Sequence, residues 1–363
     1  MKRYLCTFIL FVGLLCSIGI DYSNANMRGL YLNSGDVDTF NPTLLVNGGI
    51  TDVFVLSSRF STSNNYSVIL PKVLSKLKGT GIRVHAWIIC FSDAQGSFIN
   101  PTNNTYYLNQ LIDDIGKIVN DYDIDGVQLD YVRYPIDNPA YKYINGDEYV
   151  TNFTRSVRDK IKGIKPEIMF SAALVPEWYE VDSNIVNDLN RQGDISKGVN
   201  TTLLYGQNYV AMSEYLDFLV PMVYRGFSLK LGSVFRDTFW VESTTRFAVE
   251  RVNKPVVSAL TTYISNDELE TSLTLMSVGD VNRDIQSVYS GGGKGFALFR
   301  YGVLDKNFFS DSTNGGDLAI NQTNNSSILN KTSPGDVFLN QSGFPLFILF
   351  GFICFGIGYW RRK

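Results

Sequence analysis

The chain has 363 residues, 45% of them hydrophobic, with 32 Lys and Arg against 35 Asp and Glu for a net charge of −3. That balance lacks the basic excess of a nucleic-acid-binding surface, so no nucleic-acid partner is expected, and the apolar content excludes a disordered chain. His85 is the single histidine; multi-His metal sites and a Ser-His-Asp triad are thereby disfavoured, and acid–base work falls to carboxylates and tyrosine.

The chain opens on Met1–Lys2–Arg3, followed by the almost purely apolar stretch Tyr4–Ile20. Ser23 and Ala25 put small residues at the −3 and −1 positions of a cleavage site, the pattern of a secretory signal peptide at 1–25. Of the four cysteines, Cys6 and Cys16 belong to that leader and Cys354 lies near the C-terminus. Cys90 alone remains in the exported part, which therefore stands without an internal disulfide.

Eight short runs rich in β-branched and aromatic residues follow: Arg28–Asn33, Asp52–Ser57, Arg83–Phe91, Gly126–Tyr131, Ile168–Val175, Leu216–Tyr224, Val256–Thr262 and Gly295–Arg300. They are near-continuous in apolar character, as parallel strands covered on both faces are. Helical spacing appears between most of them, over Pro71–Leu77, Tyr107–Val119, Glu148–Ile164 and Glu268–Tyr289. Eight strand–helix repeats within 26–310 fit a (β/α)8 TIM barrel, an α/β fold that needs about 250 residues. A doubly wound sheet is the alternative, but Asn33–Ser34–Gly35–Asp36 is not the Gly-rich phosphate turn it calls for.

Residues 311–343, rich in Asn, Ser, Thr and Gly, read as a flexible stalk. Asn321, Asn324, Asn325, Asn330 and Asn340 all begin glycosylation sequons there, as do Asn65, Asn103, Asn152 and Asn200 upstream. Residues 344–360 are uncharged and end in Tyr359–Trp360, followed by the basic tail 361–363. This is the pattern of a transmembrane helix with its positive end inside. The expected protein is a single-pass type I membrane protein, monomeric, with its barrel outside the cell.

In a TIM barrel the functional residues stand where strands end and βα loops begin. Those ends here carry Arg59, Asp93, Asp130, Arg133, Glu177, Tyr224, Arg225, Tyr263 and Arg300. Carboxylates, arginines and rings converge, a mixture suited to sugars, whose apolar faces stack on rings while their hydroxyls bond charged groups. Strand alternation puts Gly126, Gln128 and Asp130 on one face; if it is the inner one, Gln128 and Asp130 rise in succession towards the mouth. Asp130 is then the first catalytic carboxylate. Glu177, beside Trp178, is the second, and Asp93 is a reserve. Trp87 is a sugar-stacking candidate, and His85 a hydrogen-bonding group of the barrel interior. No Cys/His/Asp cluster has metal-ligand spacing, so neither a catalytic metal nor a cofactor is expected.

The motif DGVQLDYVRYP at Asp125–Pro135, together with RGLYLN, GIRVHAWI, LDFLVPMVY and GGGKGFALFRYG, resembles the glycosyl hydrolase-like barrel families of microbial surfaces. The resemblance covers about 28–301 and implies a (β/α)8 fold and a carbohydrate substrate. More distantly the chain is similar to the family 18 chitinases, whose fourth strand carries Asp-x-x-Asp-x-Asp-x-Glu and whose sixth carries Met-x-Tyr-Asp. Asp125 and Asp130 match the first and third Asp, and Met222 and Tyr224 match their counterparts. Gln128, Val132 and Arg225 depart from the pattern, and Val132 stands where those enzymes have their acid. Two readings stay open. One is a glycoside hydrolase acting through paired carboxylates on surface or wall polysaccharide, with Asp130, Glu177 and Tyr224 in the catalytic roles. The other is a glycan-binding or envelope-structural barrel that has lost its acid.

Overall fold

A computed structural model describes residues 26–57, 66–93, 96–180, 183–225, 237–265 and 273–310. The leader, Arg59, the stalk, the apolar 344–360 segment and the basic tail lie outside the described residues. No helix among the described residues is long and apolar enough to cross a membrane.

The eight expected strands form, each shortened by a residue or more at an end: β1 (Met27–Leu32), β2 (Asp52–Leu56), β3 (Arg83–Ile89), β4 (Gly126–Asp130), β5 (Met169–Leu174), β6 (Phe218–Pro221), β7 (Val257–Thr261) and β8 (Gly295–Phe299). All pair in parallel, in the order β6-β5-β4-β3-β2-β1-β8-β7. Bridges Leu219–Val256 and Met222–Ala259 join β6 to β7 and close the barrel. Chain pairing in parallel and buried on both faces is what the continuous apolar runs dictate.

The outer layer holds α1 (Pro42–Asn47), α2 (Tyr66–Leu77), α3 (Thr105–Asp121), α4 (Gly146–Ile164), α5 (Ser183–Arg191), α6 (Thr201–Tyr205), α7 (Tyr209–Ser213), α8 (Thr238–Arg251) and α9 (Val278–Ser290). Leu111, Ile115, Ile118 and Val119 of α3 are buried, as are Val150, Phe153, Val157 and Ile161 of α4. The i, i+3, i+4 spacing of these residues lays each helix against the barrel by one stripe. The helix expected over Glu268–Tyr289 is corrected: α9 starts only at Val278, capped by Ser277, whose hydroxyl accepts the Asp280 N–H. Leu273–Leu275 is instead a strand, antiparallel to Tyr263–Ser265. Apolar spacing continues across that junction, but the cap sets the helix start.

The register identifies the inner face. Trp87 pairs with Gln128, Gln128 with Ser171 and Ile89 with Asp130, so Gln128 and Asp130 do rise in succession inside the barrel. Its lower part is filled by Phe54 and His85, whose rings lie 4.8 Å apart. Gly126 makes the room, since a Cβ there would fall 2.1 Å from His85 Nδ1. Asp52 anchors this floor. It accepts from Arg83 Nε and Nη2 at 2.8 and 2.7 Å, and lies 2.7 Å from His85 Nε2. Burial would raise the Asp52 carboxyl, but the bonds and charges of His85 and Arg83 outweigh it and hold the group below its ordinary value.

Candidate functional site

Asp130 is the last residue of β4 and is 5% exposed. Its Oδ2 accepts the Trp87 indole N–H at 2.9 Å and its Oδ1 the Tyr131 backbone N–H at 2.6 Å. Tyr131 stands at φ 51°, in the left-handed region. The extended chain ends there, and the turn folds the Tyr131 amide onto the carboxylate beside it. Arg133 follows, with Nη1 3.7 Å from Asp130 Oδ1 and Cζ 4.4 Å from the Tyr131 ring centroid. Burial raises the Asp130 carboxyl above its ordinary value, against the opposing pull of Arg133, Trp87 and the Tyr131 amide. Desolvation wins, so the proton is held more tightly than in water.

Aromatic rings collect round Phe299, the inward-facing end of β8. Tyr31 and Trp87 meet it edge-on at 5.5 and 6.0 Å, and Tyr224 stacks on it at 5.6 Å. Tyr263 lies 6.5 Å away. Tyr31 itself stacks on Phe54 and meets Trp87 edge-on at 5.1 Å. Asp130 is bonded to one member of this ring cluster, and electrostatic repulsion from it adds to the burial that keeps the Tyr31 hydroxyl protonated. The Tyr31 hydroxyl also faces the Gln128 amide, close by but outside bonding geometry.

The structure thus brings together Asp130, Trp87, Gln128 and Arg133, and places Tyr224 and Tyr263 on the same aromatic cluster. Other candidates are engaged elsewhere. Glu177, 3% exposed, accepts from the Tyr179 hydroxyl and lies 3.0 Å from Thr201 Oγ1, with Arg251 Nη1 at 3.7 Å. Thr201 and Arg251 belong to α6 and α8, so Glu177 is held from the outer layer. Burial raises its carboxyl too, opposed by Tyr179, Arg251 and Thr201. Arg225 reaches α9, where Nε bonds Asp284 at 3.0 Å and Nη2 lies 3.7 Å from Asp280. Asp93 caps its own loop through the Ser97 N–H at 2.8 Å. Arg300 lies in the field of Asp36.

Two residues escape a reading of the sequence. Phe299 is the hub of the rings, and only its inward register at a strand end announces it. Asp36 is buried in the β1–α1 connection and accepts the Asn33 N–H at 2.9 Å; burial raises its carboxyl, opposed by the Asn33 bond and by Arg300 and Lys306. The Asn33-x-x-Asp36 spacing of a capping box is its visible signal. Among the described residues no group of three or more His, Cys, Asp and Glu is arranged to hold a metal ion.

No protein-family model matches the chain, and no curated protein matches it in sequence. Its fold is nonetheless shared with solved structures. The Bacillus megaterium QM B1551 spore cortex-lytic enzyme SleL is 12% identical, with a TM-score of 0.54 over 80% of this chain and 74% of that one. A glycoside hydrolase family 18 N-acetylglucosaminidase from Paenibacillus barengoltzii is 11% identical, with a TM-score of 0.53 over 79% and 98% of the two chains. A chitinase from Chromobacterium violaceum ATCC 12472 is 15% identical, with a TM-score of 0.54 over 80% and 99%. At such identities the likeness is one of fold.

Proposed function

We propose that the protein is a membrane-anchored glycoside hydrolase acting outside the cell on surface or wall polysaccharide. Asp130 is the observation that carries this reading. A carboxyl group with 5% exposure, bonded at both oxygens and beside a cluster of rings at the C-terminal end of a barrel strand, is costly to keep there unless it is used or paired. The rings offer stacking faces for a pyranose, and Gln128 and Arg133 offer hydrogen bonds to its substituents. The fold it shares with the named N-acetylglucosaminidase and chitinase supports the same reading.

Glycoside hydrolysis ordinarily employs two carboxyl groups, one donating a proton to the leaving oxygen and one acting as base or nucleophile. Asp130 is the first in this proposal. Glu177, on the segment that follows the neighbouring strand and equally buried, is the second. Its burial favours the protonated form that a general acid requires. The leader and the 344–360 segment support export and anchoring.

One observation favours the second reading, a barrel that binds glycan without cleaving it. The groups that hold Glu177 are Tyr179, Thr201 and Arg251, whereas Asp130 is held by Trp87, Tyr131 and Arg133; the two carboxyls share none of them. Release of reducing sugar from wall polysaccharide by the wild type and by Asp130→Asn separates the readings. Release by the wild type alone supports hydrolysis at Asp130, and equal release by both removes Asp130 from the chemistry. Binding by both without release establishes the non-catalytic barrel.

A further inference from the structure

Arg133 is 5% exposed. A guanidinium carries five donors and a full positive charge, and both must be met when water is excluded. Yet its Nη1 has no hydrogen-bond partner among the described residues. The nearest carboxylate oxygen, Asp130 Oδ1, is 3.7 Å away, beyond bonding distance.

The unmet donor has company. Tyr31 Oη, both polar atoms of the Gln128 side chain and Ser171 Oγ are buried and without partners among the described residues. Gln128 and Ser171 are direct neighbours across β4 and β5, Tyr31 faces Gln128, and Gln128 stands one pleat below Asp130. Protein interiors leave few polar groups unpaired. Several such groups round one carboxyl are the signature of a site whose partners arrive with its ligand. Hydroxyls can satisfy Tyr31, Gln128 and Ser171. The guanidinium is the one member of fixed charge, and its planar fork matches a carboxylate.

We propose that the mouth of the barrel selects an acidic sugar, a hexuronic acid or another carboxylate-bearing glycan residue, and that Arg133 binds its carboxylate. This rests on the reading of the mouth as a glycan site and adds the substrate class.

The test is binding of glucuronate, galacturonate and mannuronate oligomers to the full chain in mild detergent, beside the same oligomers with their carboxyl groups reduced to primary alcohols. Loss of a charge-assisted contact predicts roughly 10- to 100-fold weaker binding of the reduced form of whichever oligomer binds. Arg133→Lys should retain part of that preference and Arg133→Gln should abolish it. The reduced oligomers make the comparison on the wild type alone, so it stands even if Arg133→Gln fails to fold. Equal binding of the native and reduced forms, or binding of no acidic oligomer, overturns the proposal. Reducing-end release, measured in the same samples, reports on the hydrolase separately. Carboxylate-dependent binding without release from any polysaccharide upholds the acidic ligand and sinks hydrolysis, while release from neutral glycan with no carboxylate preference does the reverse.

Discussion

The Trp87 indole N–H reaches across from β3 to donate to Asp130 Oδ2 on β4 at 2.9 Å, linking residues 43 positions apart. The contact pairs a ring of the mouth with its central carboxyl, and it favours the charged form of that carboxyl.

Removing this donor should therefore raise the Asp130 pKa further. Trp87→Phe keeps the ring and deletes the N–H, and a hydrogen bond to a charged group is worth about 1.5–3 kcal/mol, or roughly one to two pH units. If ionised Asp130 serves the reaction, the acid limb of the pH–rate profile moves up by that amount; if protonated Asp130 serves it, the alkaline limb does. A profile that stays in place would show that the bond does not tune Asp130.

Glu177 should be tolerant of Gln and intolerant of Ala. Thr201 has one hydroxyl proton, and its Oγ1 lies 2.8 Å from the Gln207 carbonyl as well as 3.0 Å from Glu177. A carbonyl can only accept, so the one Thr201 proton is divided between two acceptors, and a group at position 177 that itself donates to Thr201 would satisfy every atom. The amide introduced by Glu177→Gln reproduces this arrangement, and the exchange should change stability by less than about 1 kcal/mol, whereas Glu177→Ala should cost about 2–4 kcal/mol through cavity and unpaired hydroxyls. Equal losses in urea unfolding would refute the proton count. Sugar release by Glu177→Gln separately decides whether the group works as the second carboxyl.

Asp284 should make the fold less stable as pH rises. Burial, opposed by Arg225, raises its carboxyl from 3.8 to about 6. The folded state then binds the proton more tightly than the unfolded one, so stability falls as pH climbs from about 4 to about 6, by about 3 kcal/mol at most. Urea midpoints across that range should slope less steeply in Asp284→Asn than in the wild type. Parallel slopes would assign the effect to other buried carboxyls.

Gly126→Ala should be strongly destabilising, because the added methyl would stand 2.1 Å from His85 Nδ1 and drive the ring off Asp52. Overpacking costs about 1–3 kcal/mol, and disturbing the buried His85–Asp52 contact adds to it. His85→Ala made together with Gly126→Ala should recover part of the loss, since the space is then vacant. Thermal unfolding of the two single variants and the double variant reads the coupling directly.

Most of the barrel is legible because its strands are continuous apolar runs of β-branched and aromatic residues, and each of the eight lies within a few residues of its expected ends. Alternation groups Gln128 and Asp130 on one face of β4, and the closed barrel shows that face to be the inner one. What sequence does not show depends on reach. Arg225 closes strand six yet reaches Asp284, 59 positions away, and Glu177 meets Thr201 across 24 positions. Spacing on a single strand carries no trace of such partners. The Asp52–Arg83–His85 floor is half visible, as charged residues in inward register within apolar strands, but their convergence becomes plain only once the barrel closes. Arg133 reads from sequence as a rim cation; the structure buries it, with its guanidinium over the Tyr131 ring.

The turn at Tyr131 limits how the protein could change. Because the chain bends at Tyr131, the next residue, Val132, is wholly buried in the hydrophobic core. Installing the chitinase-type acid by a single Val132→Glu exchange would thrust a carboxylate among hydrocarbon side chains rather than supply a proton donor. Chitinase-type catalysis is therefore not one codon away from this barrel. In the proposed reading the chemistry of the mouth is built round Asp130 and its own neighbours, and a laboratory search for new activity would do better to begin at Gln128, Ser171 and Arg133.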